Sequence, residues 1–92
     1  SERKNKMIEL GEAFIAFPGG TGTLEEIAEV MSKVSLKHLE APCILYNLNG
    51  YYDHLKALLA LMIEKGLSSE ERQEGIFFAE NLEEIRQILS GK

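Results

Sequence analysis

The chain has 92 residues, of which 45% are hydrophobic and 27% charged, and its formal net charge is −5. This length and hydrophobic content predict one globular domain, or part of one, and argue against a disordered chain. The acidic balance, without a basic patch, argues against a nucleic-acid partner.

Cys43 is the single cysteine. It excludes an internal disulfide and a zinc cluster, and it is typical of a small buried hydrophobe in a reducing compartment. No apolar stretch reaches the length of about 18 residues that a membrane span needs, and no signal peptide is recognised. We therefore expect a cytoplasmic protein with no membrane partner.

Helices and strands are predicted to alternate along the chain. Short apolar runs predict strands at residues 13–17, 43–47 and 76–79. Helices are predicted at residues 2–10, 23–38, 52–65 and 82–90. Asn81 resembles an N-cap for the last helix, with Glu84 as its capping-box partner. The order α-β-α-β-α-β-α predicts an α/β fold in which a parallel sheet is buried on both faces by helices.

The predicted helix at 23–38 separates two adjacent acids. At about 100° per residue, its apolar arc spans roughly 160°, wider than the stripe of about 100° that one sheet requires. Glu26 falls at the edge of this arc, whereas Glu25 points into the polar face. Glu29 and Lys33 lie on that polar face with the spacing of an exposed ion pair. The arc comprises Leu24, Ile27, Ala28, Val30, Met31, Val34 and Ser35.

The predicted helix at 52–65 is apolar almost all round. Such a helix is buried on more than one side, and three short strands cannot cover it alone. The sequence therefore predicts a cover for this helix, either a second protomer or a further part of the chain.

The stretch PGGTGTLEE, residues 18–26, joins the first predicted strand to the helix after it. A glycine-rich turn before a helix can bind phosphate, because backbone N–H groups converge there and the helix dipole adds positive charge. Glycine allows close approach and positive φ. Thr21 and Thr23 can add hydroxyl donors, or Thr23 can cap the helix. The alternative is a tight turn that binds no ligand.

These residues resemble the PGGxGTxxE signature of the LOG ("lonely guy") family, formerly labelled lysine decarboxylases. The motif positions are occupied by Pro18, Gly19, Gly20, Gly22, Thr23 and Glu26. The family's upstream Arg-Lys pair has its counterpart in ERKNKM, as Arg3 and Lys4. NLNGYYDHL resembles the segment after the family's next strand, so the resemblance extends over nearly the whole chain.

The resemblance implies a Rossmann-like homodimer that hydrolyses the N-glycosidic bond of a nucleoside 5′-monophosphate without a cofactor or metal. The products would be an adenine-type base, often N6-substituted, and ribose 5-phosphate. It assigns catalysis to Arg3 and Glu26. It assigns phosphate or nucleotide binding to Gly19, Gly20, Thr21, Gly22, Thr23 and Lys4. A carboxylate suits this reaction because the ribose gains positive charge as the bond breaks. Arg3 could contact phosphate or ribose, or assist departure of the base.

Plainer interpretations stay open for each candidate. Arg3 and Lys4 suit a solvated helix face. Glu25 and Glu26 suit the positive end of a helix dipole, and for Glu25 this is the leading interpretation. Aromatic residues beside a strand end are more often core than base pocket, and this applies to Tyr46, Tyr51 and Tyr52.

The family's N-terminal half, with its first strands and a further glycine-rich segment, has no counterpart in this sequence. We therefore expect residues 1–92 to be the C-terminal part of one larger, doubly wound LOG-type domain and a poor enzyme alone. Two other functions stay open. One is a non-catalytic module that binds or senses nucleotides through the same turn, and the other is an interaction domain with wide apolar surfaces.

Overall fold

The computed structural model describes residues 7–10, 13–36 and 41–90. Four strands form one sheet, namely β1 (Met7–Leu10), β2 (Ala13–Ala16), β3 (Cys43–Tyr46) and β4 (Ile76–Ala79). The helices are α1 (Thr21–Ser35), α2 (Asp53–Glu64) and α3 (Leu82–Ser90), and a short 3₁₀ helix spans Leu48–Gly50. The strand order is β1-β2-β3-β4. β2, β3 and β4 are parallel, whereas β1 runs antiparallel to β2.

Alternating side chains divide the core between the two faces of the sheet. On one face, α1 and the start of α2 pack on the strands, and the buried residues there are Met7, Ala16, Ile27, Val34, Cys43, Leu45 and Tyr52. On the other face, α3 packs on the strands, and the buried residues are Ile15, Ile44, Ala79 and Ile85. The predicted α/β architecture, with helices on both faces of a mostly parallel sheet, is therefore confirmed.

The helix predicted at 2–10 is wrong over residues 7–10, and residues 2–6 lie outside the described residues. Met7–Leu10 is a strand, with Met7 opposite Ala16 and Leu10 opposite Ala13. Only two residues connect β1 to β2, and such a short connection joins antiparallel strands. The pairing satisfies backbone groups along the outer edge of β2. Sheet pairing has therefore overridden the helical pattern of the local sequence.

The remaining elements agree with the predictions to within three residues at each end. The helix predicted at 23–38 begins earlier, at Thr21, and ends at Ser35. The cap of α3 is confirmed, since the Glu84 N–H donates to Asn81 Oδ1 at 2.9 Å. The returning bond differs from a capping box, because the Glu84 carboxylate accepts from the Glu80 N–H at 2.6 Å.

A glycine follows the end of α2. Gly66 has φ +79°, a left-handed conformation that glycine adopts without a steric penalty. Its N–H donates to the Ile63 carbonyl at 3.0 Å, and the Leu67 N–H donates to the Met62 carbonyl at 2.8 Å. These two bonds are those of a Schellman motif.

Large apolar side chains remain exposed on α1 and α2, the two helices whose apolar faces were predicted to be wide. In α2, Leu59 is buried, while Leu58 and Leu61 are 47% and 43% exposed. In α1, Ile27 is buried but Leu24 is 47% exposed, so the wide apolar arc predicted for this helix is only partly buried. Within the described ranges, no helix has both the length and the apolar character needed to cross a lipid bilayer.

Candidate functional site

The parallel strands β2, β3 and β4 end at one edge of the sheet, where α/β proteins commonly bind ligands. Residues 17–20 follow β2 and lead into α1. Asn47 follows β3, and Glu80 follows β4. These three segments form the candidate site.

The turn into α1 presents backbone donors to solvent. Gly20 is the N-cap of α1, with no side-chain cap, and its carbonyl accepts from the Leu24 N–H at 3.0 Å. The N–H groups of Thr21, Gly22 and Thr23 precede Leu24, whose N–H is the first to donate within the helix, and they have no acceptor within the helix. Gly20 and Thr21 are exposed. We call residues 19–23 the cradle.

Two interpretations of side chains near the cradle are wrong. Thr23 does not cap α1, because it lies inside the helix and is 6% exposed. Glu25 does not sit at the positive end of the helix dipole, since α1 begins at Thr21 and has no acid in its first turn. The dipole acts over that first turn only, so no acidic side chain of α1 neutralises the charge at the start of the helix.

The fold itself does not require glycine at position 20. Gly20 has φ −102° and ψ −153°, which any residue adopts, so the expected positive φ is not found here. A Cβ built on Gly20 would meet no heavy atom within 4 Å. A side chain at this position would therefore enter open space, so neither packing nor backbone conformation accounts for the glycine. This distinguishes Gly20 from a glycine that only allows a tight turn.

Two adjacent tyrosines bind backbone carbonyls at the end of β2 and in the turn that follows it. The Tyr52 hydroxyl donates to the Phe17 carbonyl at 2.7 Å, and the Tyr51 hydroxyl donates to the Gly19 carbonyl. The two rings meet edge to face, with centroids 5.0 Å apart. Tyr52 is buried, whereas Tyr51 is 52% exposed. Burial, and secondarily the charges of Tyr51 and Cys43, raise the pKa of Tyr52 to about 12.

Asn47 connects the three segments at this edge. It is fully buried, and its Nδ2 donates to Asp53 at 2.8 Å and to Glu80 at 3.1 Å. Its Oδ1 accepts from the Tyr52 N–H at 2.5 Å. Its own N–H donates to the Ala79 carbonyl at 2.7 Å. Asn47 thus fixes the start of α2, and with it the tyrosines that hold the cradle.

Glu26 lines a groove beside α1, and we call it the Glu26 groove. Its volume is about 380 Å³, and its lining residues are Met7, Glu9, Phe14, Glu26, Glu29, Val30 and Lys33. Of the α1 residues in this groove, Glu26 is nearest in sequence to the cradle. Glu26 is half-buried and Glu25 is exposed, which confirms the separation expected from the helical angle. Glu29 pairs with Lys33 at 3.7 Å on the exposed side, also as predicted.

The structure brings part of the predicted site together. Gly19, Gly20, Thr21, Gly22 and Thr23 form one turn at the start of α1, and Glu26 follows in the next turn of the helix. Arg3 and Lys4 lie outside the described residues. Among the residues that are described, no group of three or more His, Cys, Asp or Glu side chains could hold a metal ion.

The sequence interpretation overlooked Asn47. It placed Asn47 at the end of the predicted strand at 43–47, and it favoured a core over a base pocket for the tyrosines. One signal could have pointed to Asn47, namely a polar residue directly after a buried strand, at the edge where the glycine turn also lies. The long-range partners of Asn47 could not be inferred, because Glu80 is 33 positions away.

Comparison with known proteins adds the family. Residues 1–89 match the family model described as "Possible lysine decarboxylase". The chain is 38% identical to cytokinin riboside 5′-monophosphate phosphoribohydrolase LOG3 of Arabidopsis thaliana over 84 residues, 91% of this chain and 39% of the relative. It is 36% identical to cytokinin riboside 5′-monophosphate phosphoribohydrolase LOG of Oryza sativa subsp. japonica over 84 residues, 91% of this chain and 35% of the relative. The chain thus spans less than half the length of these relatives.

Proposed function

We propose, because the chain belongs to the family described as "Possible lysine decarboxylase", that it supplies the cradle and a catalytic carboxylate of a nucleoside 5′-monophosphate phosphoribohydrolase. The substrate class is AMP or an N6-substituted relative, which suits the cytokinin riboside 5′-monophosphate in the names of its relatives. Hydrolysis would release the free base and ribose 5-phosphate.

The observation that carries this proposal is the open space at Gly20. The N–H groups of residues 21–23 have no acceptor within α1. No acid occupies the first turn of the helix, and a Cβ at Gly20 would meet open space. A phosphate group matches these features, since its oxygens accept several hydrogen bonds and its charge is favoured at a helix N-terminus. We therefore assign the 5′-phosphate to Gly19–Thr23 and treat Thr21 as the exposed hydroxyl donor.

Glu26 is assigned to the ribose. It follows Thr21 by five residues, about 7.5 Å along the helix axis, which suits a group one ribose away from the phosphate. When the bond from C1′ to the base nitrogen breaks, positive charge develops on the ribose ring. Glu26 would stabilise this charge, orient the attacking water or bind the ribose hydroxyls. The water oxygen bonds to C1′, and the base leaves with a proton.

The charge distribution supports this division of roles. The Glu26 groove holds three carboxylates and one lysine, a composition that favours a developing cation over a phosphate. The cradle, by contrast, lies at the positive end of the α1 dipole, which favours an anion. Arg3 and Lys4 are proposed to complete the site, Arg3 at the phosphate, the ribose or the departing base.

The decarboxylase description does not suit the described lysines. Lys33, Lys56 and Lys65 are exposed, and Lys33 is paired with Glu29. A lysine that forms a Schiff base with pyridoxal phosphate or a carbonyl substrate is commonly desolvated or activated by a neighbouring charge. These three lysines thus give no support to a decarboxylase, and we favour hydrolysis.

A homodimer is part of the proposal. Leu58 and Leu61 are exposed on α2, and Leu24 is exposed on α1. Both helices pack on the same face of the sheet, and a second copy would bury such apolar side chains. Analytical ultracentrifugation of the full-length protein should give twice the monomer mass. A Leu58→Glu/Leu61→Glu variant should shift towards the monomer, and an unchanged dimer would place the interface elsewhere.

The test is a product assay. The full-length protein is incubated with AMP and with its N6-isopentenyl analogue, and the free base and ribose 5-phosphate are quantified by chromatography. We expect both products in equal amounts. Saturable AMP binding without base release over hours would instead favour a non-catalytic nucleotide-binding module. Absence of any nucleotide binding would favour an interaction domain.

A further inference from the structure

We propose that Tyr51 is a positioning residue of the cradle, which it holds in the orientation that binds the 5′-phosphate. Its hydroxyl donates to the Gly19 carbonyl from a segment 32 positions further along the chain. The inference rests on the proposed function, because it assumes that the cradle binds phosphate. It adds a residue outside the glycine motif and a reason for its hydroxyl group.

The reason lies in the peptide between Gly19 and Gly20. In a planar trans peptide, the carbonyl oxygen and the following N–H point in opposite directions, and no cis peptide occurs among the described residues. When Tyr51 holds the Gly19 carbonyl, it also fixes the direction of the Gly20 N–H. A peptide between two glycines rotates with little steric resistance. A rotated carbonyl would present its negative end to the phosphate.

Tyr51 is itself held on a rigid base. Its backbone N–H donates to the Leu48 carbonyl at 3.0 Å, and its ring packs edge to face on Tyr52. Tyr52 is anchored to Phe17 through its hydroxyl and to Asn47 through its N–H. Because the Tyr51 side chain is already ordered by these contacts, its hydroxyl can fix the turn with little further loss of side-chain conformational entropy.

The Tyr51 hydrogen bond adds little to folding stability. The ring is half exposed, and a solvent-exposed hydrogen bond exchanges readily with water, so its net contribution is small. Loss of the hydroxyl should therefore affect phosphate binding and leave the fold intact. If the hydroxyl served only the fold, its loss would lower the stability and leave phosphate binding unchanged.

The test compares Tyr51→Phe with wild type in the full-length protein. Affinities for AMP and adenosine are measured by calorimetry, and thermal unfolding is recorded for each variant. Tyr46→Phe is the matched control, since it also loses a tyrosine hydroxyl. The Tyr46 ring packs on Phe17, on the face of the sheet that α3 covers. We expect Tyr51→Phe to weaken AMP binding by about tenfold, with adenosine affinity and the melting temperature unchanged.

Two results would overturn the inference. One is an unchanged AMP affinity in Tyr51→Phe. The other is an equal loss for AMP and adenosine, which would indicate a general disturbance of the site. In turnover, a positioning role for the non-reacting phosphate predicts a higher KM with kcat within about twofold of wild type.

The inference and the proposed function fail separately. If wild type binds AMP without releasing base, the proposed hydrolysis fails, and weaker AMP binding by Tyr51→Phe still supports the inference. If wild type hydrolyses AMP and Tyr51→Phe matches it in KM, the function stands and the inference fails. If wild type binds no 5′-phosphate, both are overturned.

Discussion

The Asn47 side-chain oxygen accepts a hydrogen bond from the backbone N–H of Tyr52 at 2.5 Å. This bond fixes the position of α2 relative to the end of β3. The Tyr52 hydroxyl then reaches the Phe17 carbonyl at the end of β2. Through these two bonds, the buried Asn47 side chain determines the position of Tyr52 beside the cradle.

Asn47→Ala should lower the free energy of unfolding by about 3 kcal/mol, because it leaves the buried Tyr52 N–H unsatisfied and removes two hydrogen bonds to carboxylates. Urea unfolding of the full-length protein, with an unchanged m-value, would measure the effect. Asn81→Ala is the matched control. It loses one exposed helix cap and should cost about 1 kcal/mol. Equal losses in the two variants would contradict the central position given to Asn47.

Gly20→Ala should leave the fold nearly unchanged and abolish most AMP binding. The new Cβ meets no protein atom, so the stability loss should stay below about 1 kcal/mol, while a methyl group enters the space given to the phosphate. Gly50→Ala is the converse control. Gly50 has φ +75°, and its Cβ would lie 2.7 Å from Asp53 Oδ2. That variant should lose about 1–2 kcal/mol of stability.

Calorimetry and urea unfolding on both glycine variants separate the two effects. An AMP affinity equal to wild type in Gly20→Ala would contradict the assignment of phosphate to this turn. A large loss of stability in Gly20→Ala would show instead that glycine serves the fold.

Alkaline pH should destabilise the protein through two buried groups. Burial raises the pKa of Cys43 from 9.0 to about 12 and contributes most to raising that of Tyr52 from 10.0 to about 12. The unfolded chain loses these protons first, so it binds fewer protons than the folded chain between these values. The free energy of unfolding therefore falls as pH rises from about 9 towards 12.

The Cys43 contribution can be isolated with Cys43→Ala. Between about pH 8 and about pH 11, the urea midpoint should fall less in this variant than in wild type, because alanine has no side-chain proton to lose. Equal falls in both proteins would show that Cys43 keeps its ordinary pKa.

Much of the fold could be predicted from local pattern. The strands after residues 12, 42 and 75 are continuous apolar runs, and burial on both faces of a sheet imposes that composition. The helical angle separated Glu26 from Glu25 for the same reason, since exposure along a helix follows its period. The turn before α1 was recognised because its glycines are adjacent in sequence.

The rest depends on long-range contacts. Met7–Leu10 pairs with β2 as a strand, although its local pattern favours a helix, because the pairing satisfies an open sheet edge. The wide apolar arc of α1 is buried at Ile27 but exposed at Leu24, since the sheet covers only one side of the helix. Asn47 joins segments that no local pattern relates.

The most direct test of the proposed site compares Glu26→Gln with Glu25→Gln in the full-length protein. Both variants lose one carboxylate from the same turn of α1, and only Glu26 lines the groove. We expect Glu26→Gln to lower kcat for base release from AMP by about 10²- to 10⁴-fold, with Glu25→Gln within about twofold of wild type. Unchanged turnover in Glu26→Gln, or equal losses in both variants, would contradict the assignment of the catalytic carboxylate.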